Sequence, residues 1–178
     1  MSAKRIVIIG GPSTGKTTLI DKLEKKGYTC LEEISRQVTR EAQEQGIAQL
    51  FLTQPLLFSQ KLLEKRITQF RYADGVKDEY VFYDRGLPDV LAYMDYAGQQ
   101  YPENFIKACK DYTYNKVFVL PPWKEIHTTD GERYESFEQA TAIQEHLLKT
   151  YNEYGYTPIE VPRAPVSDRM QFILKNMD

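Results

Sequence analysis

Residues 6–9, Ile-Val-Ile-Ile, form an unbroken aliphatic run closed by Gly10. That is the pattern of a strand buried on both faces. The spacing then turns helical. Leu19, Ile20 and Leu23 share one face of a helix opening at Lys16, and Gly27 closes it. Residues 28–31 predict a second strand, and residues 33–45 a helix ended by Gly46. From Pro55 to about Tyr72 the pattern predicts a longer helix, with Leu56, Leu63, Ile67 and Phe70 on one side and a break at Asp74-Gly75. Residues 80–83 read as the third strand, running into Asp84-Arg85-Gly86. Pro88 suits the first turn of a helix carrying Val90, Leu91 and Met94. A short helix over 102–110 and a fourth strand over 116–120 follow, the strand stopped by Pro121-Pro122. Residues 128–136 are a polar loop, 137–154 a helix, 159–161 a fifth strand and 166–176 a closing helix.

Strands alternate with helices throughout, which predicts an α/β fold with an open, five-stranded parallel sheet and helices on both faces. No internal repeat, linker or low-complexity tract interrupts the 178 residues, so residues 1–178 are expected to form one domain. At 42% hydrophobic and 27% charged, the chain can build an ordinary core. A net charge of −2 gives no basic excess for nucleic acid or an anionic membrane. Cys30 and Cys109 make neither a disulfide framework nor a C-x-x-C site. The apolar run at the start is too short for a signal peptide or a spanning helix, and a cytoplasmic protein is the expectation.

Residues 10–17, Gly10-Gly11-Pro12-Ser13-Thr14-Gly15-Lys16-Thr17, match G-x-x-x-x-G-K-[ST] in full, between a predicted strand and a predicted helix. The spacing has a physical reason. A loop with little side-chain bulk turns successive backbone N–H groups around a phosphate, and the following helix adds the positive end of its dipole. Lys16 supplies a mobile cation for the β- and γ-phosphates, Thr17 a hydroxyl for Mg²⁺, and Thr18 lies in the same first turn. The motif implies a nucleoside triphosphate with Mg²⁺ and leaves the reaction open.

Other positions narrow the reaction. Asn115-Lys116-Val117-Phe118 lacks the aspartate of a guanine-reading N-K-x-D, and Asp95-Tyr96-Ala97-Gly98 falls inside a predicted helix. Asp84 and Arg85 end the third strand where a mechanical ATPase would carry paired acids. A carboxylate beside an arginine suits phosphoryl transfer to a small acceptor: Asp84 as base or metal ligand, Arg85 as clamp. The alternative is an ion pair capping a strand end. Glu33 and Arg36 follow the second strand and would face the same crevice, since ligands bind at the carboxyl ends of strands in open α/β sheets. They can equally be a plain helix-start pair. The segment about 123–136 sits where a lid would exclude water, and Arg133 in it can reach the phosphates. Arg163, after the fifth strand, can cover a base through its guanidinium plane, or equally be a solvated surface arginine. His127 and His146 have no ligand partners at metal spacing.

These residues resemble a known family: the small P-loop "AAA domain" proteins described as ATPases or kinases related to NAD metabolism, similar to the ribosylnicotinamide kinase domain of the bifunctional NAD regulator. The matching pieces are residues 10–17, Glu33-Ile34-Ser35-Arg36, residues 83–89 (Tyr-Asp-Arg-Gly-Leu-Pro-Asp) with Ala92-Tyr93, Gly131-Glu132-Arg133, and Val161-Pro162 with Arg169. The resemblance implies a P-loop fold of the nucleoside/nucleotide-kinase type with a lid. It also implies bound ATP and Mg²⁺, Asp84 and Arg85 at the acceptor, Glu33 and Arg36 near it, and Arg133 over the phosphates. The expected function is phosphoryl transfer to a small hydroxylated, nucleoside-like acceptor. A slowly hydrolysing nucleotide switch with a protein partner is the alternative.

Overall fold

The strands are β1 (Lys4–Ile9), β2 (Thr29–Leu31), β3 (Tyr80–Asp84), β4 (Lys116–Val119) and β5 (Ile159–Glu160). They form one sheet in the order β2-β3-β1-β4-β5, and every pairing is parallel. The computed structural model describes residues 2–129 and 134–178. Eight α-helices lie within them: α1 (Lys16–Lys25), α2 (Ser35–Glu44), α3 (Leu50–Thr53), α4 (Pro55–Tyr72), α5 (Leu87–Tyr96), α6 (Glu103–Asp111), α7 (Phe137–Glu153) and α8 (Val166–Lys175).

Alternation along each strand sends side chains to two separate cores. Ile6, Ile8, Phe82 and Phe118 meet Leu19 and Leu23 of α1 and Ile173 of α8 on one face. Val7, Ile9, Val81 and Val117 meet Val38 of α2, Leu63 of α4, Leu91 of α5, Phe105 of α6 and Leu147 of α7 on the other. Both faces are covered, so the central strands can be apolar without alternation.

The predicted elements are all present, with shifted ends. The helix expected from Glu33 starts at Ser35, because the Glu33 carboxylate accepts the Ser35 backbone N–H (3.1 Å) and closes the turn before it. Short α3 was not expected; four residues between Gly46 and Pro55 are too few to show a period. Leu56 was expected on the apolar side of α4 but is 41% exposed. The buried positions of α4 are Ser59, Leu62, Leu63 and Arg66, and Phe58 rather than Leu56 meets Phe51 of α3, with ring centroids 6.0 Å apart. β4 and β5 each end one residue early, although Leu120 N–H still donates to Ile9 O and Val161 N–H to Val119 O. Asn115 and Lys116, which imitate the start of a guanine motif, have structural partners: Asn115 Oδ1 accepts from Arg5 N–H (2.7 Å), and Lys116 Nζ donates to Asn176 O (2.8 Å). Among the described residues no helix is long and apolar enough to cross a membrane.

Helix α7 packs on α5, and their contact includes a buried polar bond. The Tyr151 hydroxyl donates to Asp89 Oδ2 at 2.6 Å, and neither side chain reaches solvent. Tyr151→Phe removes the donor and leaves that oxygen with the Gly86 N–H alone. A buried bond to a charged acceptor is worth about 1.5–3 kcal/mol. The expected result is an unfolding free energy in urea lowered by that amount, read as a lower midpoint at unchanged slope.

Candidate functional site

The site begins where the central strands end. β1 and β3 pair in register Ile8↔Asp84, and Arg85 N–H donates to Ile8 O at 3.1 Å. The chain therefore leaves β1 into the glycine loop beside the point where Asp84 and Arg85 leave β3. The sheet order places β1 between β3 and β4, so the direction of the connections reverses here. Ligands bind at that kind of switch point.

In the loop, Ser13 (φ 58°) and Gly15 (φ 87°) take left-handed backbone and turn the chain into α1. The first turn of α1 has no acidic residue and no side-chain cap, which leaves the positive end of its dipole for an anion. Thr17 and Thr18 are exposed there, while Lys16 is buried. Lys16 Nζ folds back to donate to Gly10 O (2.9 Å) and Gly11 O (3.0 Å). Thr14 Oγ1 donates to Gly11 O at 3.0 Å. The loop is also gripped from outside. Gly11 N–H donates to Gln144 Oε1 of α7 (3.2 Å), and Ser13 Oγ donates to Thr128 O (2.7 Å). Arg169 of α8 donates from Nη1 to Thr14 O (3.3 Å) and lies over the Trp123 ring.

Five charged side chains gather in one another's field: Lys16, Glu33, Asp84, Arg85 and Asp89. Burial, then the neighbouring Arg85, lowers Lys16 to about 8, with Asp84 pulling the other way. Burial holds Asp84 above the usual carboxylate range against the pull of Lys16 and Arg85. Burial would raise Glu33 too, but Arg85, Arg66 and the bonds from Ser35 overcome it and set its carboxyl at about 2. Burial opposes the Arg85 charge, and Tyr93, Glu33, Asp89 and Asp84 outweigh it. The Arg85 guanidinium lies over the Tyr93 ring, 5.1 Å from its centroid. Asp84 Oδ1, Arg85 Nε and Asp89 Oδ1 are buried with no hydrogen-bond partner among the described residues. Unpaired buried polar atoms are costly, and three around one crevice fit a polar ligand.

Of the residues singled out from the sequence, the loop, Lys16, Glu33, Asp84 and Arg85 come together. Arg36 is exposed in the first turn of α2, three residues after Glu33. Arg163 is exposed and donates from Nε to Pro122 O at 3.0 Å, at the foot of the segment that was expected to form a lid. Arg133 lies outside the described residues. His127 and His146 bond to backbone carbonyls, and no cluster of three or more His, Cys, Asp or Glu able to hold a metal occurs among the described residues.

Three residues are given no site role by the sequence, although Asp89 closes the 83–89 run that carries the resemblance. Arg66 of α4 donates to Glu33 Oε1 (3.1 Å) and to Gly86 O (2.9 Å). Asp89 Oδ2 accepts the Gly86 N–H (2.8 Å), and Gln144 holds the loop. Arg66 had a readable signal: it continues the apolar row of Leu62 and Leu63 at helical spacing, where a cation is out of place without a partner. Gln144 had none, because its partner is a backbone N–H far off in sequence.

A family model described as "AAA domain" matches residues 5–169. The chain belongs to the AAA domain family. No curated protein sequence matches it. Among solved structures, the AAA domain chain is similar to a deoxyadenosine kinase from M. mycoides with the products dCMP and a flexible dCDP bound. The TM-score is 0.71 at 15% identity, over 97% of this chain and 98% of that one. It is also similar to the NadR protein in complex with NR (TM-score 0.71, 16% identity, 97% of this chain and 50% of that one). A thymidylate kinase from Candida albicans matches with TM-score 0.66 at 16% identity, over 99% and 93% of the two chains. At these identities the likeness establishes the fold: a P-loop α/β sheet of the nucleoside/nucleotide-kinase type.

Two outcomes follow from the packing. A Cβ on Gly11 would stand 2.8 Å from the backbone oxygen of Ala140, which cannot swing away. Gly11→Ala should therefore push α7 off the loop, lower stability by about 1–3 kcal/mol, and weaken binding of an ATP analogue in calorimetry. Glu33 is the second case. Its carboxyl titrates at about 2 when folded, below an unfolded value near 4.5, so its stabilisation is present above pH 4.5 and is lost as pH falls toward 2. The stability difference between wild type and Glu33→Gln should narrow over that range in denaturant titrations, and a constant difference would contradict the assignment.

Proposed function

We propose that this AAA domain protein is an ATP- and Mg²⁺-dependent kinase that passes the γ-phosphoryl group of ATP to a hydroxyl of a small, nucleoside-like acceptor. One observation carries the reading: the Ile8↔Asp84 register sets an anion-binding loop beside a buried carboxylate–arginine group with unpaired polar atoms. The kinase fold of the structural neighbours, with dCMP and dCDP bound in one and NR in another, supports it.

The loop N–H groups and the α1 N-terminus would hold the triphosphate. Lys16, freed from the loop carbonyls, would follow the β- and γ-phosphates. Its lowered pKa is that of an amine in need of an anion, and phosphate oxygens would restore its charge. Thr17 and Asp84 would hold Mg²⁺, a fit consistent with the unpaired Asp84 Oδ1 and with an ion that takes only one or two protein ligands plus phosphates. When bound, the ion would supply positive charge to offset that of the phosphates. Arg85 would clamp the transferring oxygens. Glu33, ionised and fixed, would orient the acceptor hydroxyl and accept its proton late. A strong base is not required when the transition state is loose. The segment 123–136 would act as a lid, with Arg133 over the phosphates and Arg163 near the base.

The test is a panel of nucleosides and pyridine ribosides incubated with ATP and Mg²⁺, with phosphorylated product read by mass. Acceptor-dependent ADP release supports the kinase; ADP release indifferent to every acceptor favours the nucleotide-switch alternative. Lys16→Ala should abolish product. Asp84→Asn should retain ATP binding while slowing transfer by about 10²-fold or more.

A further inference from the structure

Arg66 is the charged residue on the inward face of α4, in line with Ser59, Leu62 and Leu63, and only 3% of it is exposed. Its two terminal nitrogens bond in different directions. Nη2 reaches Glu33 Oε1, on the turn between β2 and α2, and Nη1 reaches Gly86 O, on the turn between β3 and α5. Neither turn has a backbone ladder to fix it against the other. Glu33's remaining grips, the Ser35 N–H and hydroxyl, lie within its own turn. Gly86 is pinned on its other side by Asp89, and a Cβ there would stand 2.7 Å from the Tyr151 hydroxyl oxygen and 2.9 Å from Tyr114.

The residue before Gly86 is Arg85, and its φ is 73°. A side chain in that left-handed region costs about 1–3 kcal/mol and persists where the surroundings over-determine it. The Asp89 and Arg66 bonds on either side of Gly86 supply that over-determination. One guanidinium thus ties the carboxylate of Glu33 to the carbonyl of Gly86, the residue that follows Arg85. The charges around Glu33 are Arg66 from α4, Arg85 and Asp84 from the end of β3, and Lys16 from α1.

We propose that Arg66 is a positioning residue for phosphoryl transfer: its planar fork sets the spacing between Glu33 at the acceptor hydroxyl and Arg85 at the transferring group. The inference rests on the kinase reading above. It depends on the fork, because an ammonium is a point charge that cannot span a carboxylate and a carbonyl in fixed directions. Arg66 itself touches neither substrate.

The experiment is a double-mutant cycle on Arg66→Lys and Glu33→Gln, measured as kcat and KM for ATP with the acceptor found in the panel. Arg66→Gln is run beside it, and thermal unfolding of every variant is recorded. Arg66→Lys keeps the charge yet should lose roughly 10–100-fold in kcat, the scale of a small misplacement of reacting groups. KM for ATP should stay within about threefold, since the loop is not touched. In the Glu33→Gln background the same substitution should cost less than about threefold, because its effect runs through Glu33. Full additivity, or a kcat for Arg66→Lys within twofold of wild type, overturns the proposal. So does unfolding of both Arg66 variants, which would make the fork part of the fold alone. A wild-type protein that phosphorylates no acceptor overturns the kinase reading, and this inference with it. An active wild type with an indifferent Arg66→Lys overturns only this inference.

Discussion

The parallel register of β1 against β3 is the constraint on which the rest depends. Asp84 pairs with Ile8, so the two central strands run out at the same level, and Arg85 N–H closes the last ladder bond on Ile8 O. A slip of one residue would exchange the faces of every β3 side chain. Phe82 would leave the α1–α8 side, Val81 and Tyr83 the other, and both cores would fail together. The hydrophobic pattern therefore fixes the level of Asp84 against the glycine loop. The site's geometry is inherited from apolar packing below it.

What is built on that edge is expensive. Lys16 and Asp84 are buried and Glu33 nearly so, and burial works against the charge on each. Buried ion pairs are weak contributors to stability, and a hydrophobic replacement often does as well. Here three buried polar atoms of Asp84, Arg85 and Asp89 lack a partner among the described residues, which a purely structural cluster would have little reason to retain. Strained backbone at Arg85 in the same place points the same way. Perturbed charges, unpaired polar atoms and a left-handed arginine coincide beside the glycine loop. That coincidence is stronger than any of the three taken singly.

Much of this was legible in the sequence because it is local. The strand of residues 6–9, the glycine loop and the helix after it are contiguous, and their chemistry is a matter of spacing within eight residues. Alternating strands and helices carried the sheet and its two covered faces. Asp84 and Arg85 could be placed by rule, since they end a strand whose carboxyl edge faces ligands. What escaped depends on contacts between distant residues. Arg66 sits 33 positions from Glu33, and Gln144 sits 133 from Gly11. Leu56 misled for a related reason. Its helical phase fits the apolar row, but burial depends on what stands opposite, and there Phe58 meets Phe51 instead.

Helix α7 shows how a single element can join the two halves of the site. Its positions 140, 144, 147 and 151 fall on one helical face and are all buried. The Ala140 oxygen blocks a side chain at Gly11, and Gln144 takes the Gly11 N–H. Leu147 enters the core, and Tyr151 bonds Asp89 beside Gly86. From 140 to 151 an α-helix advances about 16 Å. One rigid rod thus touches the glycine loop at one end and the Gly86 turn at the other. The glycines at 11 and 86 are required on this account for closeness: the space a Cβ would take is filled by the Ala140 oxygen at Gly11, and by Tyr151 of α7 together with Tyr114 at Gly86.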